Sequence, residues 1–374
     1  MTNSLFQLDS ESDWRQILVN HNSRYECTPF STIVVLNADM KHLNLDRRNY
    51  LPKHGIRVPF DELHGLLLRI FEKVNMTNRD ADLLATILTR NNQRCIYSHG
   101  TGQLTHYLEE LRAGKINPQP KVSVIREAPA SLVLDGDGGL GYFPCWTGTE
   151  KIIEKSKKGG AAVLTTFNHH HFGSAGNYTR LAIEHDCIGI ALSNSRNYLK
   201  PENSIANIIN SSPISIAVPA GEEPPLVMDM GGSLLPFEED LFLRLPKALL
   251  KNMALSAVIK ALGGVLAGIF REEIIESRWE SNQGSFIVIV NVAHFMPVDE
   301  LKMEMDQFIS DARKCRPLPG MDQAELAGGN EWYWEQENRE KGIPLSDEHV
   351  NSLQEEAGQL GLMTSFGRYE NTRF

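Results

Sequence analysis

Paired cysteine is missing from this chain. Its five cysteines (Cys27, Cys95, Cys145, Cys187 and Cys315) are odd in number and never spaced as Cys-x-x-Cys. That usage suits a reducing compartment and free thiols. Basic charge is also short: 37 Lys and Arg against 47 Asp and Glu give a formal net charge of −10, which argues against nucleic acid or an anionic membrane as the main partner. No apolar run reaches the roughly 18 residues that span a bilayer. The nearest, Met253–Phe270, is broken by Ser256, Lys260 and a Gly pair. The N-terminus has no basic segment leading into an apolar core, so no secretion signal is expected and the cytoplasm is the expected location. There is no internal repeat or low-complexity tract. The 374 residues, 41% of them apolar, suffice for two or three domains with a large core.

Residues 1–57 read as a polar N-terminal extension with one strand-like run, Ser31–Leu36. Helical spacing of apolar residues begins at Asp61 and again after Thr77, where Thr77-Asn78-Arg79-Asp80 resembles a capping box with Asp in place of Glu. Strand-like runs follow at Ala130–Leu134, Ala161–Phe167, Cys187–Ser193, Ile214–Val218 and Leu226–Met230, with helical stretches near 146–158 and 174–185. This alternation predicts a mixed α/β fold. Past residue 236 the pattern is mostly helical (near 298–314, 330–341 and 346–360) apart from a strand at Ser285–Val292.

Three motifs carry chemistry. Tyr97-Ser98-His99-Gly100-Thr101 lies between helical patterns, where a hydroxyl-held histidine can exchange a proton near neutral pH; Ser98 as a plain helix cap and His99 as a solvated ring is the bland alternative. Gly136-Asp137-Gly138-Gly139-Leu140-Gly141 satisfies G-x-G-x-x-G. A dinucleotide site of that type needs an acidic residue about 20 positions on, after the next strand. Here that strand, Ala161–Phe167, ends in Asn168 and three histidines, and Pro144 lies early in the following helix, so another kind of glycine turn is expected. His169-His170-His171 invites a metal reading, but adjacent side chains on extended backbone point to opposite faces. No carboxylate or cysteine at familiar spacing completes a site. No metal is expected, and one functional histidine at a strand end fits better.

Taken in order, these segments resemble the type-2 malate/L-lactate dehydrogenase family over about residues 58–365. The resemblance rests on Ser98-His99-Gly100 with Tyr107, Ala113–Pro118, Asp135–Gly141, His171–Tyr178, Ile188–Ser195, Asp229-Met230 with Ser233, and Asn330-Glu331 through Gly342–Leu345. It implies a non-Rossmann cofactor domain with a largely antiparallel sheet (126–236) and a mostly helical substrate domain built from 58–125 and 237–374. It also implies NAD or NADP as cofactor, a small-molecule substrate and a homodimer. In roles carried over from the family, His99 is the acid/base, with Ser98 and Asp229 beside it, and Gln103 and Tyr107 lie at the substrate. His171, Gly173, Gly176, Asn194, Ser195 and Lys251 lie at the cofactor.

Three departures bear on activity. The family usually has Arg four residues after the histidine, to grip a substrate carboxylate; here Gln103 stands there, with Arg94 and Arg196 as candidate substitutes. The family's Gly-Thr-Asn-Pro turn reads Asn210-Ser211-Ser212-Pro213. Only Leu234–Leu250 remains of a segment that normally holds an active-site loop. These changes leave open a member that keeps the fold and turns over weakly, acting as a binding or partner protein.

Overall fold

The structure is a computed structural model and describes residues 51–318 and 323–374. The strand-like run at 31–36, and nearly all of the 1–57 extension, lie outside these residues.

The chain enters through β1 (Gly55–Val58), α1 (Phe60–Lys73) and α2 (Asn78–Gln93). The hydroxyl of Thr77 accepts from the amide of Asp80 and donates to its carboxylate at 2.8 Å, so the capping box closes with the shorter acid. Leu63, Leu67, Ile70 and Phe71 from α1 and Leu84 and Leu88 from α2 are fully buried, each such side chain contributing roughly 1.5–3 kcal/mol. Two 3₁₀ turns, Tyr97–His99 and Thr101–Gln103, lead into α3 (Leu104–Arg112).

Next come β2 (Ser123–Ala128), β3 (Ser131–Asp135), α4 (Tyr142–Gly159), β4 (Ala161–His169), α5 (Gly176–Ile183), β5 (Cys187–Ser195), β6 (Pro213–Val218) and β7 (Leu226–Gly231). After α6 (Glu239–Arg244), α7 (Pro246–Lys260) and α8 (Glu272–Ile275), β8 (Gln283–Asn291) returns to the same sheet. The sheet order is β2-β3-β4-β8-β5-β6-β7; β3 and β4 are parallel and every other neighbouring pair is antiparallel. The fold is therefore mixed α/β around a largely antiparallel sheet.

The sheet corrects the boundaries read from sequence. β8, which falls within the 237–374 helical segment of that reading, is the middle strand, with Ile287 and Ile289 fully buried, and β2 starts at Ser123. The range 126–236 is too short to hold the sheet. A strand with apolar residues on both faces is stable only between neighbours, and β8 lies between β4 and β5, so these two are not adjacent as a β-α-β unit would make them.

The chain ends with α9 (Val298–Arg313), α10 (Gly329–Lys341), β9 (Ile343–Ser346) and α11 (Asp347–Gln359). β9 pairs antiparallel with β1, and the two strands join the core of α1–α3. Arg94 at the end of α2 donates to Glu335 of α10 from Nε at 2.8 Å and Nη2 at 3.0 Å, both side chains buried.

Helix α7 continues through a π-helical turn at Ala261–Leu266. Among the described residues, Pro246–Leu266 is the one helix long and apolar enough, by length and composition, to cross a membrane. Sequence reasoning misses it because the helix runs on through the Gly263-Gly264 pair. Those glycines lie against Leu192, Ser193 and Asn194 of β5, while Leu250, Val258, Val265 and Leu266 stay exposed.

Candidate active site

The segment bearing His99 is held from below by two asparagines. Asn91 Nδ2 donates to the carbonyl of His99 at 2.8 Å, and Asn92 Oδ1 accepts the Thr101 amide at 2.9 Å. Gly100 is required there, because an added Cβ would fall 1.8 Å from Asn92 Oδ1. Ser98 does not cap α3; its Oγ lies 3.1 Å from His99 Nδ1. Gln103 Nε2 donates back to the Ser98 carbonyl at 2.6 Å, so the amide tightens the turn.

The three histidines part company. Asn168 has a left-handed φ of 54°, and the pairing of β4 with β8 is irregular between Thr166 and His169. His169 is fully buried, with Nε2 2.8 Å from Thr166 Oγ1 and Nδ1 2.7 Å from the His170 carbonyl; burial lowers its pKa to about 4. His170 Nε2 contacts the Trp279 carbonyl at 2.8 Å. His171 turns back to His99, with ring centroids 5.7 Å apart. Its Nδ1 lies 2.6 Å from the hydroxyl of Tyr107, which also reaches the Tyr142 hydroxyl at 3.0 Å. Burial, then the neighbouring His99, lowers the His171 pKa to about 3, so its ring is neutral around pH 7. Burial also raises the Tyr107 pKa well above its usual value, so its hydroxyl keeps its proton.

The glycine turn supports this histidine loop and offers no phosphate cradle. The amides of Gly136 and Gly138 donate to the carbonyls of Phe167 and Asn168, that of Gly139 to Gly136, and that of Gly141 to His171. In return the His170 amide donates to the Gly139 carbonyl. A phosphate site needs free amides, and these four are committed within the protein. Gly138, at φ 69°, lies under Trp279, where a Cβ would be 2.2 Å from the ring.

His99, Ser98 and His171 open onto a cavity of about 350 Å³, lined further by Gly173, Ser174, Ser193, Asn194, Ser195, Asn210–Pro213, Asp229 and Met230. Ser174 Oγ donates to Asp229 Oδ2. Gly176 does not line the cavity but lets Asp229 in: its missing Cβ would lie 2.5 Å from both Asp229 Oδ2 and Arg180 Nη1. Arg180 is 9% exposed and its Nη1 has no hydrogen-bond partner; burial lowers its pKa, as does Arg94, while Asp229 acts the other way. Asn194 is 1% exposed, donates from Nδ2 to Ser212 Oγ at 2.6 Å, and has no partner for Oδ1. An orphan acceptor beside a polar cavity fits an amide N–H donor from a ligand such as a nicotinamide.

Most of the expected site residues thus gather here. Tyr107 and Gln103 stand behind the lining, one holding His171 and the other holding the His99 turn. Lys251 is the correction: it is exposed on α7 and does not line the cavity, whereas its neighbour Asn252 is buried and accepts the Leu234 amide at 2.9 Å. One position on a helix is a rotation of about 100°, enough to turn a side chain from the core to solvent. Sequence reasoning misses Asn91, Asn92, Tyr142 and Arg180. The signal for them is an adjacent Asn pair and an Arg inside otherwise apolar helical spacing.

Known proteins share this arrangement of the chain. The family model for malate/L-lactate dehydrogenase matches residues 58–239 and 231–354. A malate dehydrogenase of Pyrococcus horikoshii is 27% identical over 355 residues, covering 84% of this chain and 98% of that protein. A solved structure of malate dehydrogenase from Pyrococcus horikoshii aligns with a TM-score of 0.72 over 84% of this chain and 99% of that one. The L-sulfolactate dehydrogenase of Methanocaldococcus jannaschii is 26% identical over 337 residues, covering 79% and 95%. The ureidoglycolate dehydrogenase (NAD(+)) of Escherichia coli is 21% identical over 326 residues, covering 78% and 93%.

Proposed function

The chain belongs to the malate/L-lactate dehydrogenase family, and on that premise we propose that it moves a hydride between NAD or NADP and a small 2-hydroxy acid, 2-keto acid or related compound, with His99 as general acid/base. The observation that carries this reading is the shared cavity, where His99 and the His171 loop face one space with Asp229 and the orphan Asn194 acceptor. When bound, the nicotinamide supplies or takes the hydride. Everything else is done by the protein. Ser98 Oγ lies against Nδ1 of His99 and orients its ring, and the imidazole would pass a proton to a carbonyl oxygen, or take it from a hydroxyl in the reverse direction. His171 stays neutral and its Nδ1 is fixed by Tyr107, so it serves to position and not to titrate. Asn194, Ser195, His171 and the backbone at Gly173 would hold the carboxamide end of the cofactor, and Asp229, steadied by Ser174, would take a donor from the substrate.

A homodimer is part of this proposal. Support comes from the exposed apolar side chains Leu243, Leu245, Leu250, Val258, Val265 and Leu266 along α6, α7 and the π turn, an apolar patch of the kind that marks an interface.

The test is a screen of NADH and NADPH oxidation against 2-keto acids and related carbonyl compounds. His99→Ala should lower kcat by about 100-fold or more, the usual worth of a positioned acid/base, with cofactor affinity nearly unchanged by fluorescence titration. Turnover that survives in His99→Ala removes His99 from the reaction. Cofactor binding with no turnover on any compound favours the non-catalytic family member.

A further inference from the structure

We infer that Arg180 is a positioning residue of this site: its guanidinium reaches over Gly176 to the Asp229 carboxylate and, with Ser174, fixes the acid that faces the cavity. This rests on the hydride-transfer reading above and adds a residue which that reading does not use.

Arg180 lies in α5, where Gly176, Tyr178, Thr179, Leu181 and Ala182 are all buried. Such a helix has no solvent face for a cation, and Arg180 is only 9% exposed. Side chains on a helix lean toward its N-terminus, so position 180 lies over position 176, one turn back. There the chain has glycine. A Cβ at Gly176 would fall 2.5 Å from Arg180 Nη1 and 2.5 Å from Asp229 Oδ2. No more than twice that distance separates the two atoms, and any side chain would occupy the place where they meet. The helix is also tied to the strands that carry the acid: Thr179 Oγ1 lies 2.8 Å from Ser215 Oγ, and Ser215 is the β6 partner of Asp229.

Two other acids near this guanidinium are taken. Glu335 is held by Arg94 at 2.8 and 3.0 Å and by Arg339 at 3.0 Å, and Glu184 pairs with Arg90 at 3.6 Å. Nη1 of Arg180 has no hydrogen-bond partner among the described residues. Burial, then Arg94, lowers the Arg180 pKa; of the carboxylates that oppose them, Asp229 acts most strongly, ahead of Glu331 and Glu335. A buried cation without a bonded partner costs stability, so packing alone gives no reason for Arg180. Its place beside Asp229 does. Asp229 stands on β7, the last strand of the sheet, and lines the cavity, whereas Arg180 does not line it. Ser174 donates to Oδ2, the same oxygen that the guanidinium approaches. Arg180 therefore acts on a ligand through Asp229, without touching it.

The experiment is a double-variant cycle on the full-length enzyme, with pyruvate and oxaloacetate as keto acids and NADH or NADPH as reductant. Arg180→Met should lower kcat by about tenfold, the scale of one misplaced charge-assisted contact, with KM changed by less than about threefold. The same substitution in Asp229→Asn should cause no further loss of kcat, since its effect passes through that carboxylate. Arg180→Lys keeps the charge and should recover most of the lost kcat. Urea unfolding should find Arg180→Met no less stable than the wild type, because Asp229 faces the cavity and is solvated there once the cation is gone. Wild-type kcat in Arg180→Met overturns the inference, and so does a loss confined to KM, which marks direct attraction of the substrate. An equal loss repeated in the Asp229→Asn background overturns it as well. Should Asp229→Asn be inactive, Arg180→Lys decides, and a kcat as low as that of Arg180→Met counts against the inference. An Arg180→Met chain that does not fold makes the role structural and also overturns it. Wild-type enzyme that turns over neither keto acid removes the reading beneath, and the inference with it.

Discussion

Acid should weaken this fold before most carboxylates titrate, because the fold buries neutral histidines. His169 has its pKa lowered to about 4 and His171 to about 3, in each case chiefly by burial, and burial also lowers that of His349 to about 4. In the unfolded chain each reverts to about 6.5. The unfolded state then binds more protons than the folded state at every pH between the two values, so stability falls as pH falls through that window and is full above about 7. For His169, fully buried, the loss by pH 5 is about 2 kcal/mol. His171 and His349 keep part of an edge exposed, so each contributes less, and we expect about 4 kcal/mol in all. That is a large fraction of a typical folding free energy of roughly 5–15 kcal/mol. Urea unfolding followed by fluorescence at half-unit steps from pH 7.5 to 5 measures it. His169→Gln removes one titrating group, and its stability profile should be shallower by about 2 kcal/mol over the same range. A wild-type profile flat to within about 1 kcal/mol between pH 7.5 and 5 would refute the reasoning, as would an unaltered slope in His169→Gln.

Three further outcomes are expected. Arg94→Met leaves the buried Glu335 carboxylate with Arg339 alone and should cost roughly 3–5 kcal/mol, while the apolar pair Arg94→Met with Glu335→Leu should recover most of it; a double variant as unstable as the summed singles rules this out. The burial that opposes the Glu335 charge is outweighed by Arg94 and Arg339, so its pKa is lowered, and the cost of Arg94→Met should shrink as pH falls below about 4.5 and the acid protonates. Asn194→Ala removes the orphan acceptor and should weaken NADH or NADPH binding by about five- to tenfold in a fluorescence titration; unaltered affinity removes Asn194 from the cofactor site. Val258→Asp, placed on the exposed apolar face of α7, should convert a dimer to a monomer in light scattering, and an unchanged mass excludes that face as the interface.

Much of the fold is legible in the sequence because its elements are locally determined. The Thr77 cap, the apolar spacing of α1 and α2, and the strand runs of β3 to β7 follow from neighbours a few residues apart. The pairing of β1 with β9 joins Gly55 to Ser346, and the place of β8 between β4 and β5 depends on segments about 90 to 120 residues earlier; no local pattern encodes such partners. The site shows the same division. Ser98, His99 and His171 stand out because their motifs are contiguous, and the glycine turn fails as a dinucleotide loop because its acidic partner is missing. Arg94 reads as solvated or as a substrate contact, since nothing near it in sequence announces Glu335, 241 residues away. Lys251 points to solvent because one position on a helix turns a side chain by about 100°.

The bond between Tyr107 and His171 has a consequence for how this molecule could be divided. Tyr107 is anchored among the helices before the sheet, and His171 stands in the loop between β4 and α5. Neither fragment of a chain cut between them would own a finished reaction chamber. Reassembly would have to restore a single hydroxyl-to-imidazole contact before the chemistry returned, so recovery of turnover would report docking of the pieces more sharply than recovery of helix or strand content.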